Sequence, residues 1–315
     1  MKKSLYIYVF LFISTALFAS CGNNSEDPDD SPLVINIPED DDECCSYDDE
    51  LAMRRLFADY QEVDDLSGII FDKYTIRVYA RYATLRVGYT ELLFAVEKTA
   101  TNQHVKDIQI SDFVPVMTMG AMGMKHSAPT ANSFSKIDGL PVYKIWFAPL
   151  MASDENSFWE LSLNYSVKGS VGKTENLRFN VVAQPSGNTW IKSFKLIDRT
   201  YYLTLVNAEN FQTGINTIQA YISRTGENKV LPYYDASEEF VIEHTPTMPD
   251  MGNHSSPGNE PLIRQESGIY EGRLNLSMTG LWNIHLVVKD KNGNIVAGGE
   301  NDKSGYSNLY WTISI

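Results

Sequence analysis

Two tandem antiparallel β-sandwiches behind an N-terminal leader and tether are what the sequence predicts, and three observations carry this all-β expectation. Period-two alternation recurs through the last 250 or so residues, Asn-Gly and Asp-Gly pairs stand between the alternating runs, and one ordered set of landmarks occurs twice. With 315 residues, 43% of them hydrophobic, the chain holds enough apolar material for two cores.

In chain order, Lys2 and Lys3 precede an apolar run from Leu5 to Ala19 that stops at Ser20-Cys21, the pattern of a secretory signal over residues 1–20. The run is too short for a stable spanning helix. Residues 21–65 read as an acidic tether: twelve acids and no Lys or Arg stand between positions 21 and 50, a composition that buries too little surface to order itself. A short helix around Leu51 to Tyr60 is the one helical pattern. Cys44 and Cys45 are adjacent, which suits a thiol pair or a vicinal disulfide better than a zinc site with spaced ligands.

The clearest strand follows Trp159, Leu161, Leu163, Tyr165 and Val167, which face one way while Glu160, Ser162, Asn164 and Ser166 face the other. Ile76, Val78, Ala80 and Tyr82 repeat the pattern, as do Leu309, Trp311, Ile313 and Ile315. Asp138-Gly139 and Asn292-Gly293 mark hairpin turns.

The internal repeat divides the body into residues 66–185 and 189–315, with Gln184-Pro185-Ser186-Gly187-Asn188 as the seam. Gly88-Tyr89-Thr90-Glu91-Leu92 answers to Gly214-Ile215-Asn216-Thr217-Ile218. A loop from Met119 through His126-Ser127-Ala128-Pro129 answers to one from Met248 through His254-Ser255-Ser256-Pro257. Tyr143 stands eight residues before Met151, as Tyr270 stands eight before Met278, and Trp159 answers to Trp282.

Several function classes drop out on charge and motif. The formal net charge is −14, but from Leu51 onward 24 basic residues face 28 acidic ones, so a nucleic acid would meet no basic stripe. No Gly-x-Ser-x-Gly elbow, Walker loop, dinucleotide fingerprint or His-Glu-x-x-His occurs, and the acids of the body are scattered. The expectation is a protein that is not an enzyme.

The landmark order of a Met/His loop ending in His-Ser-x-Pro, a Tyr strand, a Met and a Trp-initiated strand resembles the YtkA-like and FixH group of extracytoplasmic domains. The resemblance covers both repeats and implies small immunoglobulin-like sandwiches outside a membrane, associated with copper handling or oxidase assembly. Leu17-Phe18-Ala19-Ser20-Cys21 resembles the lipobox of bacterial lipoproteins. That implies an acylated Cys21 and a body anchored by lipid to the outer membrane of a bacterial cell envelope, periplasmic or surface-exposed. Ser25-Glu26-Asp27 resembles the export signals of Bacteroidetes surface lipoproteins.

The Met/His loops are the candidate chemistry. Thioether sulfur is a soft ligand matched to Cu(I), and imidazole accepts copper in either oxidation state, so mixed sites suit an oxidising compartment. The donor sets are Met119, Met122, Met124 and His126 in the first repeat, and Met248, Met251 and His254 in the second, with His244 as an addition that would make the second site tighter. The implied cofactor is Cu(I), and the implied partner is a copper donor or acceptor protein. A second reading stands beside it: the loops are apolar plugs, His126 and His254 bond backbone near the following Pro, and the chain is an adhesive or structural surface spacer. His285 and His104 read as solvated surface residues.

Overall fold

The computed structural model describes residues 45–120 and 123–315. The signal segment, Cys21, Cys44 and Met122 lie outside the described residues. Among the described residues the body is β-structure throughout apart from one α-helix and two short 3-10 turns, as the alternation predicts.

Order begins earlier than composition suggests. Residues Tyr47–Phe57 form an α-helix whose N-cap, Ser46, accepts a bond from the Asp49 amide at 3.2 Å while Asp49 accepts one from the Ser46 amide at 3.0 Å. Asp48, Asp49 and Glu50 occupy its first turn and Arg54 and Arg55 its last, so acids that read as tether are matched to the helix dipole. The Ser46 amide, with Lys106 beside it, holds the Asp49 carboxyl below its ordinary value. Met53 is buried against Leu93 and Val142, and Phe57 stacks on Tyr79 with ring centroids 4.3 Å apart. Val63 and Leu66 then enter the first core. Cys45 is disulfide-bonded.

The first half is a sandwich of two main sheets, with Leu85–Arg86 and Val181–Val182 forming a further short parallel pair. One carries Tyr74–Ala80, Thr90–Lys98 and Val142–Phe147 at its centre. The other runs in the order Ser170–Phe179, Ser157–Val167, Ile108–Met119, Met124–His126. Alternation along Ser157–Val167 buries Trp159, Leu161, Leu163, Tyr165 and Val167, as the sequence pattern implies. Thr90–Lys98 breaks the alternation because both its faces are covered: Leu92, Phe94 and Val96 point into the sandwich, and Leu93 packs under the helix.

In the second half the layers of the sandwich are joined. Its ten strands form one continuous sheet, because Glu260–Arg264 pairs with Tyr270–Leu276 on one side and with Phe240–Met248 on the other. The ladder slips between Glu260 and Ile263, around Pro261, which has no amide to donate. The layers enclose one core, with Trp282 and Trp311 fully buried in it.

The duplicated landmarks can be compared rung by rung. Thr90 pairs with Phe147 in the first half, and Asn216 pairs with Leu274 in the second, which is the register the alignment of Gly88 with Gly214 and Tyr143 with Tyr270 requires. The Trp159 indole N–H donates to the Met151 carbonyl at 2.9 Å, and the Trp282 N–H to the Met278 carbonyl at 3.0 Å.

The halves meet across an aromatic stack in which Tyr221 lies on Trp146, centroids 4.2 Å apart. Arg81 donates to Asn210 at 2.7 Å and Tyr82 to Glu209 at 2.5 Å, beside a cavity of about 560 Å³ at the seam. Residues 229–235 of the second half also lie along residues 127–132 of the first, with the Asp235 amide donating to Asn132 Oδ1 at 3.1 Å.

Burial pushes the Asp235 carboxyl up to about 7, a rise that the nearby Arg264 charge opposes. A carboxyl near 4 when unfolded and near 7 when folded contributes stability that is complete below about pH 4 and lost as pH rises through 7. Urea unfolding should therefore show a body less stable at pH 8 than at pH 5, and Asp235→Asn should flatten that slope. An unchanged slope in the variant would assign it to other groups.

Candidate functional site

The first Met/His loop is a β-hairpin. Ile108–Met119 turns at Gly120 and returns as Met124–His126, pairing Met117 with His126, Thr118 with Lys125 and Met119 with Met124. Residues directly opposite share a face, with Cβ atoms about 4.5–5.5 Å apart, and positions two apart on one strand share it too. Met117, Met119, Met124 and His126 therefore line one face, three thioethers and one imidazole within two rungs of ladder. Exposure rises toward the tip: Met117 is fully buried, Met119 and His126 are half-buried, and Met124 is 48% exposed.

Trp159 backs this face. It pairs with Met117 on the side away from His126, and the two rings meet edge to face with centroids 5.7 Å apart. His126 Nδ1 lies 2.8 Å from the Ser127 carbonyl oxygen. A carbonyl can only accept, so Nδ1 carries the proton and Nε2 of the neutral ring keeps its lone pair. The backbone bond anticipated for a plug is thus present, and it also leaves Nε2 as the donor atom, the arrangement used by ligating histidines.

The second hairpin is shorter. Phe240–Met248 turns through a 3-10 element, Pro249–Met251, and returns as His254–Ser255, pairing Met248 with His254. Met248 is buried, with its Cε so near Gly280 that a Cβ there would lie 2.7 Å away. His254 is exposed, and Met251 sits on the tip, 53% exposed. The structure thus brings Met248 and His254 together and carries Met251 out to the turn.

These registers correct the alignment of the two loops. Met117, rather than Met119, is the counterpart of Met248: each pairs with its histidine, and the pairing of Thr247 with Asn283 continues to place Trp282 across from Met248 as Trp159 lies across from Met117. The shared signal was Pro115-Val116-Met117 against Pro246-Thr247-Met248. The first hairpin is longer by two rungs, Thr118–Lys125 and Met119–Met124, which have no equivalent in the second.

His244 is not brought to this cluster. It lies four residues back along the extended strand, about 13 Å from Met248, and its Nε2 donates to the Glu260 carbonyl at 3.0 Å. Burial lowers its pKa, and Nδ1 is buried with no partner among the described residues. The first hairpin, not the second, is the richer in donors.

Two other histidines differ from expectation. His285 is 3% exposed, with Nδ1 2.6 Å from the Ser307 carbonyl oxygen, Nε2 3.0 Å from Thr247 Oγ1, and its ring stacked on Tyr306. The segment before the last strand folds over the face that alternation marks as outward, so this is a satisfied core histidine. His104 is largely buried between Glu50 at 3.3 Å and Glu97 at 3.7 Å, where the helix docks on the sheet.

Among the described residues no three of His, Cys, Asp and Glu come together as a metal group. One imidazole per hairpin makes no zinc set, whereas thioethers with an imidazole make a soft one. No curated protein matches the chain. Residues 197–287, which include Met248, Met251, His254 and most of the Trp282 strand, match the model of the YtkA-like family.

Proposed function

We propose that the chain is an extracytoplasmic lipoprotein that binds Cu(I) through its Met/His hairpins and passes it to or from a partner protein. The observation that carries this reading is the face shared by Met117, Met119, Met124 and His126, in which three soft sulfurs accompany an imidazole whose Nε2 is free of its Nδ1 bond. Met119, Met124 and His126 Nε2 would hold the ion, with Met117 and Trp159 as an apolar floor that keeps water from it. Bound Cu(I) would supply no chemistry to the chain; it is cargo. The partly exposed Met124 is where a partner's ligands would enter. Met122, outside the described residues, stays in the proposed donor set on its place in the sequence alone, and Met248 with His254 would form a weaker second site that Met251 could join only if the turn moves.

Competition for Cu(I) against a coloured chelator, with residues 46–315, tests this. Leu preserves the apolar volume of Met, so Met119→Leu with Met124→Leu should keep the fold and weaken the tighter site by tenfold or more, while Met248→Leu affects only the weaker one. Equal affinity in parent and double variant would leave the hairpins as plugs.

Placement is tested separately. Diacylation of Cys21 would anchor the chain stably, since two lipid chains suffice where one does not. Cys21→Ser should release the protein from membranes or block its processing, and full retention would overturn the lipid anchor.

A further inference from the structure

His126 bonds a residue that the other half of the molecule also holds. Ser127, fully buried, is held at three points: its amide donates to the Lys229 carbonyl at 2.8 Å, its hydroxyl to the Pro115 carbonyl at 2.5 Å, and its own carbonyl faces His126 Nδ1. The bond to Lys229 begins a short parallel pairing across the halves. The Tyr233 amide donates to the Ala128 carbonyl at 2.9 Å, and the Thr130 amide to the Tyr233 carbonyl at 3.1 Å, with Pro129 bridged to Tyr233. Tyr233 anchors the segment. It is buried, its ring stacks on Tyr202 at 5.4 Å and 8°, and its hydroxyl donates back to the Lys229 carbonyl at 3.1 Å.

We propose that residues 229–235, anchored by Tyr233, are a positioning element for the first hairpin: they fix Ser127 so that its carbonyl accepts the hydrogen bond from His126 Nδ1–H and Nε2 remains the lone-pair nitrogen. The consequence for copper rests on the reading of this hairpin as a soft-metal site. Outer partners that fix a ligating histidine typically change metal affinity by about 10–100-fold. By linkage, an ion that binds the oriented ring must tighten the contact between halves by the same factor that the contact tightens the ion. The second half is then part of the first site.

The test uses the full chain with Tyr233→Ala and, as the conservative variant, Tyr233→Phe, which keeps the ring and the backbone pairing. In the metal-free protein, imidazole ¹⁵N shifts should show His126 as the Nδ1–H tautomer in the parent and in Tyr233→Phe, and as a mixture in Tyr233→Ala, where the Ser127 amide should also lose its exchange protection. Cu(I) affinity at the first hairpin should fall about tenfold in Tyr233→Ala, with the Met248–His254 site unchanged as the internal control. An unchanged tautomer after Ser127 loses protection overturns the proposal, and so does protection that survives the loss of Tyr233. If Tyr233→Ala does not fold, Tyr202→Leu removes the stacking partner and repeats the test. A parent that retains no Cu(I) refutes the metal reading alone, because the tautomer measurement still decides the positioning role.

Discussion

Trp159→Ala should destabilise the body by about 3–5 kcal/mol, the usual cost of emptying a fully buried indole site. The ring is completely covered, packs within 6.2 Å of Phe179 and edge-on to His126, and ties its N–H to the Met151 carbonyl. Removing it opens a cavity beneath Met117 and frees His126 on one side, so stability and the candidate site should suffer together. Trp282→Ala should cost a similar amount, since that ring is equally buried and bonds the Met278 carbonyl, but it should leave the first hairpin intact. Chemical denaturation of the two variants checks the magnitude, and His126 ring chemical shifts check the asymmetry. A loss below about 1 kcal/mol in either variant would mean that the ring is not packed as described.

Gly120→Ala should displace the tip of the first hairpin. A Cβ at this position would lie 2.0 Å from the Asn156 carbonyl oxygen and 2.9 Å from its carbon, and the obstacle is backbone, which cannot swing aside. Either the loop before the Trp159 strand or the hairpin tip must move, at a cost of about 1–3 kcal/mol by the standards of overpacked sites. The rung nearest Gly120 is Met119 with Met124, so the variant should scatter those donors while the Met117–His126 rung holds. Thermal unfolding with ¹³C-methyl spectra of the methionines reads both effects. Unshifted Met119 and Met124 methyl signals would contradict the close approach.

The strand pattern was legible where burial is one-sided. Residues 157–167 and 310–314 alternate as written, since one face meets core and the other solvent. Where both faces are covered, alternation fails as a guide. Thr90–Lys98 is buried on both sides, and His285 points to a face that the C-terminal segment later covers. Composition misled at the helix: Asp48, Asp49 and Glu50 belong to a low-hydrophobicity run, yet a capping box turns them into a first turn. For the candidate site, the crowding of Met and His was visible, but which donors share a face depends on hairpin register. Register placed Met117, which the donor set read from the sequence left out, at the floor of the cluster and set His244 four residues of strand away. The contact between residues 127–132 and 229–235 joins segments a hundred residues apart and has no local signature at all.

X-ray absorption at the copper edge of Cu(I)-loaded residues 46–315 reads the ligands of the ion themselves. That chain lacks all three cysteines, so any sulfur in the first coordination shell must come from thioethers. The expected result is a mixed shell of sulfur with one imidazole nitrogen, and a loss of sulfur scattering in the Met119→Leu, Met124→Leu variant. A shell of nitrogen and oxygen alone, or a sulfur shell indifferent to both substitutions, would contradict it.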